Sequence, residues 1–169
     1  STADDPGLTV AIVHALNEWI HEHWSFNHEN RVFTTPIINL SEVDAAQREL
    51  AWILERGAKV ALIKPGPVNG LHGWRSPALP EFDPFWKLVE EADLVVGMHA
   101  SDSGYQRHLN EWEGIREGEF TPFKGGSGFA AIVGGMHREI TDTIASAIGH
   151  GLCTRFPKLK IVPVENGSG

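Results

Sequence analysis

The stretch LVVGMHASDSG, residues 94–104, decides how the chain is read. It starts as a run of apolar and small residues without period-2 alternation. That is the pattern of a strand covered on both faces, as in a parallel sheet. The run ends on His99, and the chain then turns polar. A histidine at the end of a buried strand has two readings. Bonded to Ser101 or Asp102 it is a satisfied structural residue. As a neutral imidazole it is a natural ligand for a divalent metal such as zinc.

The same grammar recurs on either side. A helix is predicted from Pro6 to about His28, with Leu8, Ile12, Ala15, Leu16 and Trp19 on one face and Pro6 in its first turn after Asp4 and Asp5. Residues 31–40 (RVFTTPIINL) read as a buried strand. A helix follows, with Ser41 and Asp44 as a capping box, Ala45, Leu50, Ile53 and Leu54 as its apolar face, and Gly57 at its end. Residues 59–64 (KVALIK) form the next strand, and residues 65–80 a loop rich in Pro and Gly. Asp83 is placed as the cap of a helix that has Pro84 at its first position and runs to about Ala92. After residues 94–98 comes a long segment with Gly114, Gly118 and the GGSG run at 125–128. A helix over about 130–152, with a break at Gly134 and Gly135, leads to a last strand at 159–164 (LKIVPV).

Strands that are continuous apolar runs and alternate with helices define an α/β protein with a parallel sheet. Four of them are half of a (β/α)8 barrel or most of a doubly wound sheet, and a complete barrel takes about 250 residues. The chain has 169 residues. It opens on a helix that follows no strand and closes directly after one. The expectation is therefore a single incomplete (β/α) barrel portion over residues 1–169.

Bulk composition narrows the function. The formal net charge of -8 argues against a broad nucleic-acid surface or an anionic membrane partner. No apolar run approaches the ~20 residues of a membrane helix. The single cysteine, Cys153, rules out an internal disulfide and fits a reducing cytoplasm. Partners are expected to be a small-molecule substrate and a second copy of the chain, in a homodimer or higher homo-oligomer.

In parallel α/β folds, active sites lie at the carboxyl ends of the strands. Those ends present Asn39, Lys64, His99, and Glu165 with Asn166, each directly after an apolar run. Glu165 can bind metal, act as general base, or simply pair with a cation across the mouth. Lys64 can neutralise a substrate carboxylate or pair with a neighbouring acid. His72, Trp74 and Arg75 follow in the next loop, where a ring beside a guanidinium could hold a planar carboxylated substrate or merely pack the loop. Two patterns are set aside. In HEH at 21–23 the histidines lie two apart on a helix and point away from each other. The GGSG run at 125–128 follows no strand and lacks the phosphate-loop pattern, which leaves a phosphate-binding barrel as a weak option.

The runs VALIKPGPV (60–68), FDPFWKLVEEADLVVGMHAS (82–101) and GHGLCTRFPKLKIVPVENG (149–167), in that order, resemble the amidohydrolase-related (amidohydrolase 2) family of metal-dependent hydrolases. That family includes enzymes like aminocarboxymuconate semialdehyde decarboxylase. The sharpest pieces are the histidine after residues 95–98 and the segment G-x-x-x-R-F-P-x-L-K-I-V at 151–162. The resemblance implies a (β/α)8 TIM barrel, of which strands three to six are present, holding one divalent metal, usually zinc. It implies that His99 is the metal ligand of the fifth strand. After the sixth strand the family has a histidine, and this chain has Glu165, which changes the group that would relay a proton. The family's paired strand-one ligands and strand-eight aspartate have no counterpart here.

The function implied is a metal-dependent hydrolase acting on a small carboxylated or cyclic compound. His99 and Glu165 are the metal-binding and catalytic pair, and Lys64, Trp74, Arg75 and Asn166 the substrate-binding group. The alternatives are a non-oxidative, metal-dependent carboxy-lyase and a non-catalytic ligand-binding barrel.

Overall fold

The computed structural model describes residues 5–70, 73–101, 104–115, 128–133 and 137–166. Its centre is a parallel sheet of β3 (Val60–Ile63), β6 (Val95–His99) and β7 (Lys160–Val164), with β6 in the middle. Val60 pairs with Val95, and Val95 with Lys160, so the three strands run in step; β6 and β7 end together, His99 opposite Val164, and β3 ends one residue earlier. A fourth extended segment lies along the outer side of β3. Ile38 N–H donates to the Leu62 carbonyl (2.9 Å) and Leu62 N–H to the Pro36 carbonyl (2.8 Å).

The helices cover this sheet as crossovers. α2 (Val43–Glu55) follows the segment at 36–39, and α3 (Asp83–Glu91) follows β3. Leu50 and Ile53 of α2, Phe85, Trp86 and Val89 of α3, and Ala61, Ile63, Val96 and Met98 of the strands form one buried core. Trp86 sits there because its indole N–H has a partner, the Pro77 carbonyl at 2.6 Å. The strand–helix–strand order with parallel pairing is an arc of a (β/α) barrel, as the sequence predicts.

Several expectations are corrected. The run at 31–40 is not one strand. Asn27–His28 (β1) and Val32–Phe33 (β2) pair antiparallel across a turn in which Glu29 and Asn30 both take positive φ, and only the part from Pro36 onward joins the sheet. The expected capping box does not form. Glu42 is the N-cap, which puts Ser41 one residue outside α2, and the Ser41 hydroxyl has no partner among the described residues. Asp83 caps nothing: a short 3-10 turn (Pro80–Phe82) precedes α3, and the Asp83 carboxylate goes to Arg155 instead. Inside the loop at 65–80, β4 (Val68–Gly70) and β5 (Gly73–Arg75) form a hairpin. α4 (Tyr105–Glu113) occupies part of the segment read only as glycine-rich. The helix expected at 130–152 is three pieces, α5 (Gly128–Val133), α6 (His137–Gly149) and α7 (Leu152–Arg155). Gly134 and Gly135, the expected break, lie outside the described residues.

The first helix, α1 (Pro6–Trp24), ends short of His28, and its packing is inverted. Leu8, Ile12 and Trp19 are each at least half exposed, and Leu16 is also exposed. The buried residue is Asn17, at 0% exposure. Asn17 donates to the Ile37 carbonyl (2.7 Å) and to Glu49 Oε1 (2.7 Å), and accepts from Ile37 N–H (2.8 Å). His14 adds a 2.7 Å contact from Nδ1 to Glu49 Oε2. α1 thus docks through polar bonds to a strand that needs them.

Candidate active site

Because the strands end in step, His99 on β6 and Glu165 just after β7 arrive side by side. His99 Nε2 and Glu165 Oε2 are 3.1 Å apart. Glu165 reaches this position with φ +54°, a left-handed conformation that few glutamates adopt. The other ring nitrogen, Nδ1, lies 2.8 Å from the Ala100 carbonyl oxygen. A carbonyl only accepts, so this contact puts the ring proton on Nδ1. In the neutral ring Nε2 then carries a lone pair, which faces a carboxylate oxygen. Two acceptors at that distance are stable only with a proton or a cation between them.

The spacing fits a cation. With bonds of about 2.1 Å, neighbouring ligand atoms are about 3.0 Å apart in an octahedron and about 3.4 Å in a tetrahedron. The observed 3.1 Å lies between, and imidazole plus carboxylate is a donor set for zinc or manganese. Among the described residues, no group of three or more His, Cys, Asp or Glu side chains is arranged to hold a metal. The pair is a partial ligand set.

Asn166 is 6% exposed, and its carboxamide Nδ2 donates to the Met98 carbonyl (2.7 Å) and the Val164 carbonyl (2.8 Å). Lys64 directly follows β3, with its Nζ 5.6 Å from the centre of the Trp74 ring, within cation–π range. Trp74 in turn lies against Gly104. A Cβ there would come within 3.2 Å of the ring, and Gly104 has φ +83°, so glycine lets the loop after β6 close on the tryptophan. Arg75 points elsewhere and pairs with Glu81 at 2.7 Å. It lines a cavity of about 330 Å³ between the start of α2 and the β4–β5 hairpin, and none of the residues lining that cavity is Lys64, His99 or Glu165. Asn39 is occupied locally, accepting from Ser41 N–H at 2.7 Å. His72 lies outside the described residues, as does most of the GGSG run.

One network escaped the sequence reading. Tyr105, at the start of α4, donates to Asp142 Oδ2 (2.7 Å), which also accepts from Arg138 Nε (2.9 Å). Burial, with the bond to Asp142, pushes the Tyr105 phenol well above its usual range. Burial works against the Asp142 charge, but the Arg138 and Tyr105 donors outweigh it and hold its carboxyl low. Glu139, on the same helix, is 9% exposed, and its Oε2 has no partner among the described residues. The signals were there: Tyr105 is the single tyrosine, and Arg138 and Asp142 have i,i+4 spacing.

The arc of (β/α) barrel brings a histidine and a carboxylate together at its strand ends. The family model for amidohydrolases matches residues 2–169, and the chain belongs to that family. It is similar to a crystal structure of an amidohydrolase from Mycobacterium avium subsp. paratuberculosis K-10, with 39% identity, 97% of this chain and 40% of that one covered, and a TM-score of 0.86. At 20% identity and TM-score 0.67 it matches 2,6-dihydroxybenzoate decarboxylase from Rhizobium, covering 95% of this chain and 46% of that one. At 17% identity and TM-score 0.61 it matches a dihydroxybenzoic acid decarboxylase from Polaromonas sp. JS666 with bound manganese and an inhibitor, covering 94% of this chain and 45% of that one. The chain therefore spans less than half the length of these structures. Among curated proteins none matches it. No helix among the described residues is long and apolar enough to cross a membrane.

Proposed function

We propose that this chain supplies part of the active site of a metal-dependent hydrolase, with His99 and Glu165 as ligands of one divalent ion, zinc in the first instance. The observation that carries this reading is the Nε2–Oε2 contact of 3.1 Å while Nδ1 is committed to a backbone carbonyl. The chemistry such an ion supplies is polarisation of a carbonyl and acidification of a water. Lys64, backed by Trp74, places a positive charge at the same strand ends and orients an anionic group of a small carboxylated or cyclic substrate. Glu165 is more than half exposed, so its carboxylate can also take a proton from a water at the mouth.

A non-oxidative carboxy-lyase is the second reading. It is favoured by the names of the Rhizobium and Polaromonas proteins, and the manganese of the latter makes that metal the alternative to zinc. A cytoplasmic homodimer or higher homo-oligomer is part of the same proposal, supported by the single cysteine for the compartment and by the exposed apolar face of α1 for the pairing. The test is metal analysis of the full-length protein beside His99→Ala. The expected result is a stoichiometric divalent metal in the wild type and its loss in the variant. A wild type without metal after metal-supplemented expression would overturn the reading.

A further inference from the structure

We infer that Asn166 is a positioning residue that holds His99 and Glu165 at ligand spacing, an inference that rests on the metal reading above. Its carboxamide donates to two carbonyls, Met98 and Val164. Met98 is the residue before His99, and Val164 the residue before Glu165. One buried side chain therefore fixes the backbone immediately ahead of both candidate ligands.

The bonding of that side chain is lopsided. Both donors' worth of contact goes to the two strand ends, while Oδ1 is buried and has no partner among the described residues. An apolar residue would fill the space without leaving an acceptor unmade, so packing alone does not account for an asparagine here. The Val164 carbonyl also receives Ala100 N–H at 3.0 Å. Ala100 is the residue whose own carbonyl sets the His99 tautomer. The clasp thus joins three things: the end of β6, the end of β7, and the ring orientation of His99. Hydrogen bonds made directly to metal ligands are worth about 10–100-fold in metal affinity where they have been removed; this clasp acts one peptide further back, so the lower end of that range applies. Asn166 was read from sequence as a substrate contact. Its depth and its main-chain partners assign it this other task.

The probe is Co²⁺ alone, titrated into the metal-free full-length protein and its variants. Binding is followed by the d–d absorption of the ion, and stability by urea unfolding without metal. Asn166→Ala and Asn166→Leu, which keeps the volume but not the donors, should weaken Co²⁺ binding by about 10-fold and shift the d–d bands. A purely structural role would lower the unfolding midpoint and leave affinity and spectrum of the folded protein unchanged, and that result overturns the inference. If neither variant folds, the wild type decides. Co²⁺ replaced by Zn²⁺ must then slow hydrogen exchange of the Asn166 carboxamide, and an unchanged rate overturns the inference. A wild type that binds no Co²⁺, or a His99→Ala variant that binds as tightly, overturns the metal reading as well and so separates the two failures.

Discussion

Replacing Asn17 by alanine should cost more than replacing any of the large apolar residues exposed on the same helix. Asn17 is fully buried and makes three hydrogen bonds, two of them to the backbone of Ile37 and one to Glu49. A typical protein hydrogen bond contributes about 1 kcal/mol net, and a buried partner left unpaired costs about 1–3 kcal/mol. Ile37 is only partly buried, so water can reach some of what is exposed. The expected loss is ~2–4 kcal/mol, placing the variant among the more damaging single changes. Asn17→Asp should be at least as costly near neutral pH, because it loses both donors and sets a second carboxylate against Glu49. Urea unfolding monitored by tryptophan fluorescence measures the total. Hydrogen exchange of the Ile37 amide measures the site, since that amide should lose protection ahead of those in β6. An Asn17→Ala protein within ~0.5 kcal/mol of wild type would refute the claim that α1 docks through this polar contact.

Two further predictions follow from side-chain networks. Arg155 holds Asp83 with Nε and Nη2 at 2.9 Å while also donating to the Ala78 and His150 carbonyls. Arg155→Lys cannot reproduce that fork and should lose about 1–2 kcal/mol, the lower end because both side chains are more than a quarter exposed; equal stability by urea unfolding would contradict it. Asp142 has its folded pKa lowered, so its contribution is present above about pH 4 and is lost as pH falls through the folded value. The stability gap between wild type and Asp142→Asn should therefore be constant near neutrality and begin to narrow only below about pH 4, and a gap that widens on acidification would count against the network.

The strands and crossovers were legible because their signal is local. Runs such as KVALIK and LVVGMH are apolar whichever neighbours they meet, and β3, β6 and β7 lie where those runs predict. The convergence of His99 and Glu165 was legible for the same reason, since parallel strands that start in step also end in step. The orientation of α1 was not. Its apolar stripe reads as a core face, yet the opposite side is taken by the peptide group of Ile37, a partner set by tertiary structure. Asp83 was misread as a cap because Arg155, 72 residues away, competes for its carboxylate. The task of Asn166 was equally hidden, because the carbonyls it binds have no signature in a side-chain sequence.

The left-handed backbone at Glu165 bears on how such sites diverge. Residues with branched or bulky side chains are disfavoured at φ +54°, whereas asparagine, aspartate and histidine enter that basin more readily than most. The histidine that the family carries after its sixth strand is thus a residue this backbone already accepts. A lineage can pass between histidine and glutamate here through aspartate without refolding the loop. Imidazole and carboxylate can thus alternate at this position with the loop backbone unchanged. Glu165→His should therefore fold with the same loop backbone as the wild type.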